Sequence, residues 1–318
     1  MTLEQLRIFV AVAEREHMTR AAEALGIVQS AVSAAIAALE SEHAVHLFHR
    51  VGRRVELTEA GRVFLAEARD VLARATAAES TLADMGGLKR GTLSIHASQT
   101  IGTYWLPARL AAFRKAYPAI EIRLAIGNTT QVAAAVIAGT AELGFVEGEI
   151  DQPALSDRSI EGDRLAVVIA TGEAPARNGK LTAADILAMD WVLREPGSGT
   201  RAEFEAELRR RKIDPKALKV VLELPSNEAV RSAVLAGAGA TAISELVVGP
   251  GLRYGGLSRL DFEMPQRPFH ILRHKERYRS RAADTLLEIV ARDAPEPARR
   301  RKPASALFMR KALLRGRR

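Results

Sequence analysis

Met18-Thr19-Arg20-Ala21-Ala22-Glu23-Ala24-Leu25-Gly26-Ile27 is followed, after Val28, by Gln29-Ser30-Ala31-Val32-Ser33-Ala34-Ala35-Ile36-Ala37-Ala38-Leu39-Glu40, and then by Leu47-Phe48-His49-Arg50-Val51-Gly52-Arg53-Arg54-Val55-Glu56-Leu57-Thr58-Glu59-Ala60-Gly61. The first run reads as a short helix, with Thr19 placed to cap it and Gly26 ending it. In the second, Val32, Ile36 and Leu39 recur at helical spacing, while Gln29, Ser30 and Ser33 sit on the face that a recognition helix presents to base edges. The third gives two short strands around the basic turn Val51-Gly52-Arg53-Arg54. Such a wing grips phosphates beside the groove that the helix enters, with Arg20, Arg50, Arg53 and Arg54 as the contacts.

These residues together resemble the DNA-binding domain of LysR-type transcriptional regulators. The resemblance is carried by Arg20-Ala21-Ala22, Gln29-Ser30-Ala31-Val32-Ser33, Leu39-Glu40, Leu47-Phe48-x-Arg50 and Leu57-Thr58-x-Ala60-Gly61, five matches in register. The chain departs from the family pattern at Val28, where a Ser or Thr is usual, at Ala34-Ala35, and at His43-Ala44. Base readout is therefore expected to rest on Gln29, Ser30 and Ser33.

Placement, more than bulk charge, argues for a nucleic-acid partner. The net charge of +8 is matched by the segment Pro295–Arg318, which holds nine basic residues and one acid, whereas residues 1–58 carry six Arg against seven Glu. The tail is expected to be a disordered basic arm adding non-specific DNA attraction. A content of 47% hydrophobic residues in 318 suffices for more than one core. Without cysteine the chain has no disulfide, thiolate metal ligand or thiol redox sensor. No uninterrupted apolar run of about 20 residues is present and the N-terminus lacks a signal-peptide pattern, so a cytoplasmic location with no membrane partner is expected.

From Thr58 to about Leu88 there is no proline, and Val63, Phe64, Ala68, Val71, Leu72, Ala75, Ala78, Leu82 and Met85 keep helix-like spacing. A helix of this length, ~40 Å, exceeds what one small domain needs. In LysR-type proteins the matching helix pairs with its twin, and the resemblance implies a dimer or tetramer here. Gly86 to Gly91 marks a hinge.

Beyond it, strand and helix patterns alternate, the mark of parallel α/β construction. Strands are expected at 92–97, 120–126, 143–146, 165–170, 191–194, 220–224, 240–243 and 269–273, and helices at 106–116, 131–138, 183–188, 201–211, 228–236 and 281–290. Two lobes built this way leave a cleft where small ligands bind. Ala97-Ser98-Gln99-Thr100-Ile101-Gly102, Gly127-Asn128-Thr129-Thr130 and Arg194-Glu195-Pro196-Gly197-Ser198-Gly199-Thr200-Arg201 each follow a strand. The last opens a helix whose free N–H groups, with the Ser198 and Thr200 hydroxyls and Arg201, suit an anion.

These segments, with Phe145-Val146-Glu147-Gly148 and Leu224-Pro225-Ser226-Asn227-Glu228-Ala229-Val230, resemble LysR effector-binding domains, most closely the branch controlling sulfur-anion and carbon-fixation genes. The resemblance implies an α/β fold with an N-terminal winged helix-turn-helix, a long linker helix and a two-lobed effector domain like periplasmic binding proteins. It implies an inducer pocket lined by Ser98, Thr100, Thr129, Ser198, Thr200 and Arg201, with Glu147 and Asn227 near it. The expected domains are 1–58 (DNA binding), 59–90 (linker helix and hinge), 91–294 (effector binding) and 295–318 (basic tail). The expected function is a ligand-responsive regulator that binds an interrupted inverted repeat in double-stranded DNA as a homo-oligomer, senses a small anion, and engages the transcription machinery. No other cofactor, no metal and no catalysis are expected. His43, His46 and His49 have no carboxylate or thiolate partner pattern, and Gly197-Ser198-Gly199 lacks nucleophile-elbow spacing. A two-lobed enzyme or solute binder and a ligand-independent architectural DNA binder are the rival readings.

Overall fold

The computed structural model describes residues 1–52, 54–85, 91–148, 150–173 and 180–292. The expected wing contact Arg53, the hinge 86–90 and the tail 295–318 lie outside the described residues.

Helices α1 (Leu3–Arg15), α2 (Met18–Leu25) and α3 (Gln29–His43) precede the hairpin β1 (Phe48–Val51) and β2 (Arg54–Leu57). Thr2 opens α1 with a full capping box shared with Gln5. The cap expected at Thr19 is displaced: the N-cap is His17, two residues earlier, and Thr19 lies exposed within the first turn. Gly26 ends α2 in the left-handed region, as its position suggested. Phe9, Val12, Val32, Ile36 and Leu39 close one core over which the wing strand residue Val55 packs. Glu40 Oε1 accepts from the Leu47 and Phe48 amides at 2.7 and 3.1 Å, tying the wing to α3.

Helix α4 (Glu59–Met85) runs on from the wing, with the Thr58 hydroxyl accepting from the Gly61 amide at 2.9 Å. Its apolar stripe is divided. Phe64, Leu65, Ala68 and Leu72 pack on the DNA-binding core, whereas Val63, Val71 and Leu82 are 62%, 42% and 71% exposed.

The remaining chain forms β3 (Gly91–Ser98), α5 (Leu106–Ala116), β4 (Ile120–Gly127), α6 (Thr129–Ala138), β5 (Leu143–Glu147), β6 (Leu155–Ala170), α7 (Ala183–Ala188), β7 (Asp190–Arg194), α8 (Gly199–Arg210), β8 (Lys219–Leu224), α9 (Asn227–Leu235), β9 (Thr241–Ser244), α10 (Glu245–Arg253), β10 (Leu257–Arg259), β11 (Gln266–His274) and α11 (Arg281–Arg292). Among the described residues the sheet order is β10-β6-β11-β5-β3-β4 with β9 on β6, and β7 pairs with β8. The expected parallel construction holds for β3 with β4 and β5 and for β7 with β8, whereas β11 runs antiparallel to β5 and β6, and β6 antiparallel to β9 and β10. β6 also starts ten residues before the expected strand, because Leu155–Arg164 holds only two large apolar residues, Leu155 and Ile160, among charged and small ones and so gives no strand pattern.

Lobe 1 closes around Leu93, Ile95, Phe145, Phe269, Ile271 and Leu286, with a smaller cluster under α6. Lobe 2 closes around Trp191, Leu193, Phe204 and Leu208 on one side and Val168, Val230, Ile243 and Val247 on the other. β6 is common to both: its first half pairs with β11, its second with β9 and β10. Among the described residues no single helix is long and apolar enough to cross a membrane.

Candidate functional site: an interlobe cleft and a DNA-reading face

The ends of β3, β4, β5, β7 and β8 meet the starts of α6, α8 and α9. Asn227 is the centre of one half of this junction. Its Nδ2 donates to Thr100 Oγ1 at 3.1 Å, its Oδ1 accepts from Arg194 Nη1 at 2.6 Å, and its amide donates to Gln99 Oε1 at 2.8 Å. Gln99 Nε2 returns across the cleft to the Pro225 carbonyl at 2.8 Å. Arg194 is buried and doubly bonded to Glu195, at 2.7 and 2.9 Å, and Glu195 accepts from Asn128 Nδ2 of the opposite lobe at 3.2 Å. Burial pushes the Glu195 carboxyl up, yet Arg194 and Asn128 together hold it below the usual carboxylate range.

The second half centres on Arg267, only 2% exposed. Its Nε lies 2.5 Å from Asp163 Oδ1, its Nη2 3.1 Å from Oδ2 and 3.9 Å from Glu147 Oε1, and its Nη1 3.3 Å from Thr200 Oγ1. Burial works against the charge on this guanidinium; Asp163 and Glu147 outweigh it and keep the group protonated. Ser244 Oγ also donates to Asp163. Thr129 Oγ1 donates to the Glu147 carbonyl at 3.2 Å. Gly199 sits against both: a Cβ there would lie 2.4 Å from the Glu147 oxygen and 2.6 Å from Thr129 Oγ1, so only glycine lets α8 approach lobe 1 this closely.

Two buried oxygens here make no hydrogen bond, although one of them, Glu147 Oε1, stands 3.9 Å from Arg267 Nη2. Ser98 Oγ, at the end of β3, and Glu147 Oε1 have no hydrogen-bond partner among the described residues. The first turn of α8 is likewise uncapped, since the N-cap Ser198 makes no side-chain bond to it.

Ser98, Thr100, Thr129, Glu147, Ser198, Thr200 and Asn227 are thus brought to one junction, all buried. Arg201 is not. It donates from Nε to Glu205 at 2.8 Å and from Nη1 to Glu223 at 2.6 Å and the Arg194 carbonyl at 3.0 Å, so its charge is neutralised by lobe 2 itself. Any part Arg201 takes in the cleft is therefore played with its charge already engaged by Glu205 and Glu223. Gln99, Asn128, Asp163, Arg194, Glu195 and Arg267 enter without having been singled out. Gln99, Asn128, Arg194 and Glu195 lie in segments that the strand-end pattern marked; Asp163 and Arg267 carry no local signal.

At the other end of the molecule Gln29 and Ser30 are exposed on α3, and Gln29 Nε2 donates to Ser33 Oγ at 2.8 Å. Arg20, Arg50 and Arg54 are exposed, and none of them forms an ion pair among the described residues. Their charges are free to meet phosphates.

With both regions described, comparison with known proteins decides the family. Residues 3–62 match the model of the bacterial regulatory helix-turn-helix protein, lysR family, and residues 86–295 match the LysR substrate binding domain. The chain belongs to the LysR family of transcriptional regulators. This LysR-type regulator is 34% identical over 290 residues to the uncharacterized HTH-type transcriptional regulator YeiE of Escherichia coli (strain K12), covering 91% of this chain and 96% of that protein. It is 33% identical over 292 residues to a probable RuBisCO transcriptional regulator of Nostoc sp., covering 90% and 86%. Among solved structures, full-length CbnR complexed with its target DNA is similar with a TM-score of 0.66 at 25% identity, over 92% of this chain and all of that one. The regulatory domain of Synechocystis CcmR in complex with 2-PG is similar with a TM-score of 0.59 at 25% identity, over 66% of this chain and 100% of that one. A DNA-binding domain joined to an effector-binding domain is the family's arrangement, and this chain has both.

Proposed function

We propose that this regulator senses a small anionic metabolite that also carries a hydrogen-bond donor. The observation that carries the reading is the pairing of an uncapped α8 N-terminus with two buried oxygens that make no hydrogen bond among the described residues, Ser98 Oγ and Glu147 Oε1. N–H groups at a helix start favour negative charge. A carboxylate beside them favours a ligand that offers it a hydroxyl or an acidic proton. Ser98, Thr100, Thr129, Ser198 and Thr200 supply hydroxyls, and Asn227 orients Thr100. The likeness to the CcmR domain complexed with 2-PG supports a small-metabolite effector for this cleft.

The same reading puts α3 in the major groove, with Gln29, Ser30 and Ser33 toward base edges, and Arg20, Arg50 and Arg54 toward phosphates. The likeness to CbnR on its target DNA supports it. Self-association follows from what is left uncovered. Val63, Val71, Ala78 and Leu82 fall within an arc of about 100° on α4 at 100° per residue, and the open edge β8 leaves Val220, Val221 and Leu222 39–41% exposed. Two such subunits would read two half-sites of an interrupted inverted repeat.

A thermal-shift panel of sulfate, sulfite, phosphate and a phosphorylated two-carbon acid tests the effector reading. A ligand present at about 100 times its Kd stabilises the fold by about 2.7 kcal/mol, and Thr200→Val should abolish that response. No response to any anion, or an equal response in the variant, would remove the α8 start from the site.

A further inference from the structure

The exposed face of α3 offers DNA few hydrogen-bonding side chains. From Gln29 to Leu39 the helix carries no charge, and its exposed positions there are Gln29, Ser30, Ala31, Ala34, Ala37 and Ala38. The Gln29 amide nitrogen already serves Ser33 Oγ. Immediately before the helix stands Val28, extended at φ −77° and ψ 145°, making no capping bond. It is 67% exposed.

Both properties of Val28 work against the stability of α3. A Ser, Thr, Asp or Asn at an N-cap would accept from a free amide of the first turn, and valine cannot. Its two methyl groups also stay in water. Among the described residues they stay largely uncovered.

We propose that Val28 is a specificity-determining residue that reads the C5-methyl group of a thymine, with Ala31 and Ala34 allowing the helix backbone close to the base edges. The inference rests on the reading of α3 as the helix that enters the major groove. In that groove the thymine methyl is the apolar feature that separates T·A from the other pairs, and an aliphatic side chain is its natural contact. Residues at the start of a recognition helix reach deepest toward the bases. The phosphate contacts at Arg20, Arg50 and Arg54 position the helix without reading sequence, so a methyl contact at Val28 adds selectivity where polar groups are sparse.

The test uses the full-length protein to select duplexes from a randomised library. Each thymine of the selected half-site is then replaced by deoxyuridine, which keeps base pairing and removes only the methyl. At one or two positions per half-site uracil should weaken binding about fourfold, the worth of one buried methyl. In Val28→Ser that penalty should vanish while Tm does not fall, because serine caps the helix. Equal uracil penalties in both proteins, or none in the wild type, would overturn the proposal. If Gln29→Ala still changes the selected sequence in that event, α3 remains in the groove and only the role of Val28 is lost. Failure to select any sequence would remove the groove reading and the proposal together.

Discussion

Arg267→Met isolates the charge that holds the two lobes together. Methionine fills much of the same space, so the loss is electrostatic. Asp163 and Glu147, 9% and 2% exposed, are left without their shared cation, and Thr200 loses its donor at 3.3 Å. Breaking a buried pair from one side costs about 3–5 kcal/mol, and in a domain of about 200 residues each kcal/mol moves Tm by about 2–4 °C. Tm should therefore fall by about 6–20 °C. Urea unfolding at about pH 7.5 and about pH 5.5 adds a signed check: protonation relieves an uncompensated buried carboxylate, so the folded variant takes up protons and its deficit shrinks as the pH falls. The double variant Asp163→Asn with Arg267→Met should recover part of the loss at neutral pH. A Tm within about 2 °C of wild type, with no pH dependence of the difference, would show that the cluster is hydrated and not the bolt described here.

Other perturbations act on separate links. Gly199→Ala puts a Cβ against the Glu147 carbonyl and Thr129 Oγ1, so the lobes should separate locally; calorimetry should show effector binding weakened at least tenfold with ligand-free DNA affinity retained, and unchanged effector affinity would contradict the close approach. Burial, reinforced by its hydrogen bond to Glu228 at 2.8 Å, pushes Tyr104 up to about 12. Since the folded state keeps this proton after the unfolded chain has lost it, the associated stability is complete below about pH 10 and is lost as pH rises towards 12. Ultraviolet titration should find that one of the four tyrosines ionises late, and Tyr104→Phe should delete that phase. Gln29→Ala should cost about 1–3 kcal/mol on the preferred sequence and relax preference, whereas Arg54→Ala should weaken all duplexes alike and lower the salt slope by about one unit; matching profiles for the two would place α3 away from the bases.

The DNA-binding region was legible because its signals are local: the apolar spacing of Val32, Ile36 and Leu39 and the turn at Gly52 each lie within a few residues of what they determine. Strand ends in the effector region were legible for the same reason, and they marked the segments that hold Ser98, Thr100, Thr129, Ser198 and Thr200, whereas Asn227 and Glu147 came from the family resemblance alone. The ion pairs of Arg201 were not legible in the same way: Glu205 lies one helical turn on, but Glu223 lies on another strand. Asp163 and Arg267 lie 104 residues apart, and neither has a neighbour that announces the pair. No pattern pointed to α10, since Gly249, Pro250 and Gly251 are all poor helix formers, and Pro250 sits inside it.

The sharing of β6 determines how the lobes move. One unbroken 16-residue strand enters both, so what joins the lobes here is a hydrogen-bonded ribbon with β11 and not a loose segment. That ribbon is weakest where the register shifts between Arg267 and Phe269, because Pro268 has no amide to donate and Gly162 nestles so near that a Cβ would lie 2.2 Å from the Arg267 carbonyl. The pivot and the buried guanidinium are neighbours in the same strand. A twist of one lobe on the other would pass through this point, beside the guanidinium that donates to Thr200 of α8.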